Sequence, residues 1–191
     1  MPFEAPAPIE AERVRVRLLT EGDLPALFEV NSDEAVTSLL PYATWASPAD
    51  GDAWFQRMAA LQATGLALQF VVADKTSDKA IGTCLLFRLE QASRRAELGY
   101  VLGRAHWGRG LMQEALSALL TCAFGTMALR RLEAEVDTRN PASARLLQRL
   151  GFSREGLLRQ RWVTKGEAKD VEIYGLLCNE WPAKAAATLR R

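Results

Sequence analysis

The sequence predicts a mixed α/β (α+β) domain, and three observations predict it. Strand-like and helix-like periods are interleaved along the chain instead of falling into separate halves. Three successive strand-like segments with short polar links read as an antiparallel meander. A glycine-bearing bend then leads directly from a strand into a strongly amphipathic helix. With 191 residues, 49% hydrophobic and 25% charged, the chain suits one domain that buries its own core.

Residues 1–11 are rich in Pro and Ala and are expected to trail as an arm, with the domain over 12–178 and a tail over 179–191. Val14, Val16 and Leu18 alternate with Arg15 and Arg17, the period of a half-buried strand. Thr20-Glu21-Gly22-Asp23 has the form of a capping box, and Leu24, Leu27, Phe28 and Val30 follow at helical spacing. Ser47-Pro48-Ala49-Asp50 opens a second helix, predicted to reach Ala63, with Pro in the first turn where its missing N–H leaves nothing unpaired. Strands are predicted over 67–73, 81–87 and 95–102, the first two joined by the turn Lys75-Thr76-Ser77-Asp78. Met112, Leu116, Leu119, Leu120 and Ala123 form one apolar face of the helix after the bend. Leu132-Glu133-Ala134-Glu135-Val136 alternates as a strand. Asn140-Pro141-Ala142-Ser143 starts a further helix that stops at Leu150-Gly151, where Gly suits the left-handed cap. Strands near 152–162 and 170–177 flank a Lys165-Gly166 turn. Segment 183–191 is Ala-rich and helical in composition, suited to packing on itself or on a second copy, so a homodimer stays open.

A net charge of +1 argues against a protein whose main work is gripping nucleic acid. Cys84, Cys122 and Cys178 show no C-x-x-C spacing and His106 is the single histidine, so neither a disulfide framework nor a metal site is expected. The cysteines read as small core hydrophobes. The N-terminus has no apolar stretch of signal length, and no run approaches the ~20 apolar residues that span a bilayer. A soluble, cytoplasmic protein without membrane contact is expected.

The chemistry concentrates at His106-Trp107-Gly108-Arg109-Gly110. The first amides of a helix lack internal partners and sit at the positive end of its dipole, and glycines let a ligand approach the backbone. A diphosphate held by the main chain of Trp107, Gly108, Arg109, Gly110, Leu111 and Met112 fits this pattern, beside the plainer reading of a tight turn. A dinucleotide fingerprint would need Gly at 113, where Gln stands, in a first βα unit. A P-loop would need Gly-Lys-Ser/Thr.

Three segments together, 96–102, 107–116 and 140–152, resemble the GCN5-related N-acetyltransferase (GNAT) superfamily, and within it the ribosomal-protein N-terminal acetyltransferase (RimJ/RimL-like) branch. The resemblance runs from Val14 to Leu177. It implies a mixed, mostly antiparallel sheet of about seven strands with a splayed central pair and helices on both faces. It also implies acetyl-CoA as cosubstrate and a primary amine as acceptor. Gly108 and Gly110 match the superfamily's Q/R-x-x-G-x-G/A loop, while Ala105 occupies its first position and Arg104 falls one residue early. Carried over, Tyr100, Val101 and Leu102 pair with the pantetheine arm, the glycine loop takes the diphosphate, and Asn140 bonds the arm. Ser143 protonates the departing thiolate. Both Asn140 and Ser143 also read as ordinary helix-start residues.

Glu97 is the first choice as general base, a solvated strand residue being the alternative. The acid reported for the branch on the penultimate strand is replaced by Trp162, and the tyrosine acid of some relatives by Leu147. An α-amino group with pKa about 8 costs roughly 1.4 kcal/mol to deprotonate at neutral pH, against about 4.6 kcal/mol for lysine. A weak base therefore favours a protein N-terminus, such as that of a ribosomal protein, over a lysine. Tyr42, Trp45 and Trp162 are candidate walls of the acceptor cleft, or ordinary packing. The rival functions are acetylation of a small amine (a polyamine, an amino acid or an antibiotic) and a non-catalytic acetyl-CoA-binding module.

Overall fold

The computed structural model describes residues 5–181. Its strands are β1 (Ile9–Glu10), β2 (Val14–Leu18), β3 (Ala67–Asp74), β4 (Ala80–Glu90), β5 (Arg95–Leu102), β6 (Arg131–Asp137), β7 (Ser153–Thr164) and β8 (Glu167–Leu177). Its helices are α1 (Leu24–Asn31), α2 (Glu34–Thr37), α3 (Pro48–Ala63), α4 (Leu111–Phe124) and α5 (Pro141–Arg149). The strands form one eight-stranded sheet in the order β1-β2-β3-β4-β5-β6-β8-β7. Every pairing is antiparallel except β5 with β6.

Strand alternation sends side chains to two cores. Phe70, Val72, Leu86, Leu98, Leu132 and Val136 pack on one face under Leu116, Leu119 and Leu120 of α4 and Leu147 of α5. Leu27, Trp45, Trp54 and Met58 cover the other face against Val71 and Ala80. Ser47 and Asp50 form the capping box at the start of α3. Thr20 and Asp23 form theirs on a 3-10 turn that precedes α1.

Two boundaries differ from expectation. Ile9 and Glu10, assigned to the arm, pair with Val16 and Arg15, making the eighth strand. Glu10 meets Arg15 at 2.6 Å and Lys75 at 3.4 Å, the second a long-range contact that local composition does not disclose. The tail does not begin at 179, because Trp181 is buried against Phe124 with ring centroids 6.4 Å apart. Segment 183–191 lies outside the described residues.

Candidate active site

The central parallel pair is short. Arg95, Ala96 and Glu97 face Arg131, Leu132 and Glu133, and there the pairing stops. Beyond it β6 continues against β8 alone, through Asp137. The Gly103 amide donates to Ile81 O at 2.8 Å, which sets the phase of the β4–β5 ladder. In an antiparallel ladder hydrogen-bonded and open residues alternate. Val101 and Gly99 therefore spend their polar groups on β4, while Leu98, Tyr100 and Leu102 turn theirs to the gap. The expectation that Val101 pairs with pantetheine is corrected by this parity: its backbone belongs to β4, and only its side chain lines the cleft. The Leu102 carbonyl is also taken, by Trp107 Nε1 at 2.7 Å. The gap opens into a cavity of about 340 Å³.

At the end of β5 the chain makes a 3-10 turn over Arg104–His106 and reaches Gly108 and Gly110, with φ of +71° and +75°. These left-handed positions suit glycine. A Cβ on Gly108 would meet nothing within 4 Å, so the bend is open to a ligand. The first α4 bond is Glu114 N to Gly110 O, and no described residue accepts from the amides of 108–113. Those unpaired donors, at the start of a 14-residue helix, can seat an anion. The seat begins one residue later than expected, because the Trp107 amide is bound to Arg104 O; the Trp107 indole stays 47% exposed. Arg104 does not stand in for the missing Gln/Arg, being ion-paired with Asp33 at 2.8 Å.

A cation reaches the seat from elsewhere in the chain. Arg13 donates to Arg109 O at 3.0 Å and to Glu114 Oε2 at 2.8 Å, and its Nη2 lies 3.6 Å from a Cβ built on Gly110. Burial raises the Glu114 carboxyl, but the Arg13 donors outweigh it and hold that group below its ordinary range.

Across the gap, Asn140 caps α5 by accepting from Ser143 N at 3.0 Å. Asn140 lines the cleft, and its side-chain nitrogen has no partner among the described residues. Ser143 Oγ and Tyr100 Oη are 2.6 Å apart. Burial drives the Tyr100 phenol well above its usual pKa, so it stays protonated. Leu147, where the resemblance implied a tyrosine acid would fall, is fully buried. The phenol beside Ser143 comes instead from β5.

Glu97 lies on the opposite face of β5 and is 7% exposed. Its Oε2 accepts from Arg88 Nη1 at 2.6 Å. Burial raises its pKa, Arg88 opposes that, and Glu135 and Glu133 reinforce it. Trp162 Nε1 donates to Glu135 Oε2 at 2.5 Å, with the ring 38% exposed at the mouth of the cleft. Tyr42 lines the cleft from the other side and donates to Asn31 Oδ1 at 2.9 Å. Trp45 does not line it: it is buried 5.6 Å from Trp54 and against Gly51, as core. Lys165, at the β7–β8 turn, donates to Thr37 O and ties this hairpin to α2. Arg13, Arg88 and Glu135 were absent from the candidates read in the sequence. Only Glu135 carried a signal there, as a charge on the exposed phase of an alternating strand.

A splayed parallel pair, an amide seat at the next helix and a capped helix across the gap describe a class of acyl-CoA enzyme, and the comparisons agree. Residues 13–153 match the family model for the acetyltransferase (GNAT) domain. The chain belongs to this GCN5-related N-acetyltransferase family. An uncharacterised N-acetyltransferase, p20, of Bacillus licheniformis is 35% identical over 170 residues, 89% of this chain and 96% of the relative. The ribosomal-protein-serine acetyltransferase of Escherichia coli is 32% identical over 114 residues, covering 60% of this chain and 63% of that one. A GCN5-related N-acetyltransferase structure from Brucella melitensis aligns with TM-score 0.89 at 28% identity, over 99% of this chain and 86% of that one. The protein is an N-acetyltransferase that uses acetyl-CoA.

Proposed function

We propose that the acceptor is the N-terminal α-amino group of a protein, a ribosomal protein being the best-supported case, and that the reaction takes place in the cytoplasm. The observation that carries this reading is the groove leading to Glu97. Residues 39–42 line it together with Trp162, Thr164 and Lys169 of the closing hairpin, a wall of backbone and aromatic groups suited to a peptide end. Relatives named as ribosomal-protein acetyltransferases support the same acceptor. No helix among the described residues is long and apolar enough to cross a membrane.

Acetyl-CoA supplies an activated thioester. The open polar groups of Tyr100, the Leu102 amide and the Asn140 side-chain amide hold the pantetheine arm, and the amides of 108–113 with Arg13 hold the diphosphate. Glu97 takes the amine proton, directly or through water. As the N–C bond forms and the C–S bond breaks, Ser143, held by the Tyr100 hydroxyl, gives its proton to the sulfur and regains one from solvent, while Glu97 releases the amine proton to solvent.

Glu97, Glu135 and Asp137 line one cleft, which favours a second reading, a polyamine acceptor. Thiol release measured across N-terminal peptides, polyamines and aminoglycosides separates the two; turnover with a small amine alone would reject the peptide reading, and none at all would leave a binding module. For the cosubstrate, Gly110→Glu is expected to abolish acetyl-CoA binding in calorimetry, with Gly110→Ala as the control for backbone strain. Unchanged binding by Gly110→Glu would remove the loop assignment.

A further inference from the structure

β4 departs from regular pairing next to Glu97. Phe87 faces Glu97, but the next paired residues are Glu90 and Arg95, so β4 carries an extra residue between them. Within this bulge Arg88 has φ +50°, a left-handed conformation that non-glycine residues rarely hold. Regular alternation would send Arg88 to the face opposite Phe87. The bulge instead turns it back onto the Glu97 face, with its guanidinium carbon 5.6 Å from the Phe87 ring and 5.7 Å from the Trp162 ring. Its Nη1 lies 2.6 Å from Glu97 Oε2 and 3.8 Å from Glu135 Oε1. Backbone strain at a bulge beside a cleft commonly serves to re-aim one side chain.

We propose that Arg88 is a positioning residue for acceptor deprotonation: turned into the cleft by the β4 bulge, its guanidinium keeps the Glu97 carboxylate charged and fixed along the acceptor groove. The proposal rests on the reading of Glu97 as base. Without a counter-cation that carboxylate would be hard to keep ionised. It is buried, and Glu133 and Glu135 of β6 repel its charge. The other charged and titratable groups around it are already engaged, Asp137 of β6 by Arg139. Arg95 binds Glu90 and Glu133, and Arg161 of β7 binds Glu135. Lys169 of β8 pairs with Glu167, and Tyr42 with Asn31. Among the described residues Arg88 alone hydrogen-bonds and ion-pairs with the Glu97 carboxylate.

The test compares Arg88→Met, Arg88→Lys and Glu97→Gln with the parent enzyme. The readouts are the pH dependence of kcat/KM and a carbon-detected NMR titration of the Glu97 carboxyl in the protein without ligands. In Arg88→Met the acid limb and the NMR midpoint are expected to rise together by about one to three units, since that is the usual effect of removing an opposite charge at this range. Arg88→Lys should restore most of the shift, and circular dichroism should be unchanged. If Glu97→Gln removes the acid limb but Arg88→Met leaves limb and midpoint in place, Arg88 has no such role and Glu97 remains the base. If Glu97→Gln leaves the acid limb unaltered, the base assignment fails, and this proposal with it.

Discussion

Replacing Tyr100 with Phe deletes one oxygen atom from the inner wall of the cleft, and the structure sets limits on what that does. The lost contact is the 2.6 Å pair between Tyr100 Oη and Ser143 Oγ. Ser143 is half-buried, so water can take the place of the phenol, and the net loss of stability should be about 0.5–1.5 kcal/mol. For a domain of this size that is about 1–6 °C in Tm. Catalysis is bounded by the leaving group. A thiol with pKa near 8.5 lies about 1.5 units above neutral pH, so protonating it supplies at most about 2 kcal/mol, roughly 30-fold in rate. Tyr100→Phe and Ser143→Ala should therefore each lower kcat by roughly 3- to 30-fold with little change in acetyl-CoA affinity. Because the two hydroxyls act as one unit, the double variant should be no slower than Ser143→Ala. Stopped-flow thiol detection on all four proteins closes the cycle. A double variant whose loss is the product of the single losses, or a Tyr100→Phe enzyme of parent activity, would refute the coupled-hydroxyl reasoning.

A Cβ on Gly82 would lie 2.4 Å from Val101 O and 3.0 Å from Leu102 Cα, so Gly82→Ala must push β5 off β4. It should cost about 1–3 kcal/mol in urea unfolding and weaken acetyl-CoA binding as Leu102 shifts; stability within about 0.5 kcal/mol of the parent would contradict this. Arg13→Gln leaves the Glu114 carboxylate unneutralised beside the anion seat, and acetyl-CoA should bind roughly tenfold more weakly, a gap that narrows as salt is added. A salt-independent difference would point to lost packing instead. Burial raises the Asp23 carboxyl, but bonds from Arg17 at 2.8 and 2.9 Å and from Thr20 outweigh it and depress the folded pKa. The stability it contributes is then present above the unfolded value of about 4 and lost as pH falls through the folded one. Asp23→Asn should lower Tm at pH 7 by an amount that closes in acid; a constant difference down to pH 2 would contradict the linkage.

Periodicity made most of the fold legible. It located β5, while the Ser47–Asp50 start signal located the beginning of α3 and the glycines located the bend, because such residues act within a few positions of themselves. What stayed hidden depends on distance or parity. Alternation gives the face of each β5 side chain, but not which residues hydrogen-bond β4. That needs the register with Ile81, and the resemblance, which implied the whole segment 100–102 as the pantetheine partner, does not separate Val101 from its neighbours. The Arg88 bulge has no local signature, since a left-handed arginine is set by the pairing on either side of it. Arg13 reaches Glu114 from about a hundred positions away. Tyr100 meets Ser143 only once β5 and α5 are packed. Trp45 and Trp162 look alike as single aromatics, and only the packing of Gly51 and Trp54 makes the first of them core.

Amide hydrogen exchange with and without acetyl-CoA tests most directly whether the open edge of β5 and the helix seat receive the ligand. The amides of Tyr100, Leu102 and residues 108–113 should slow markedly on its addition, while those of Gly99 and Val101, already bonded to β4, should barely change. Unaltered exchange across 108–113 at saturating acetyl-CoA, or protection of Val101 in place of Tyr100 and Leu102, would contradict it.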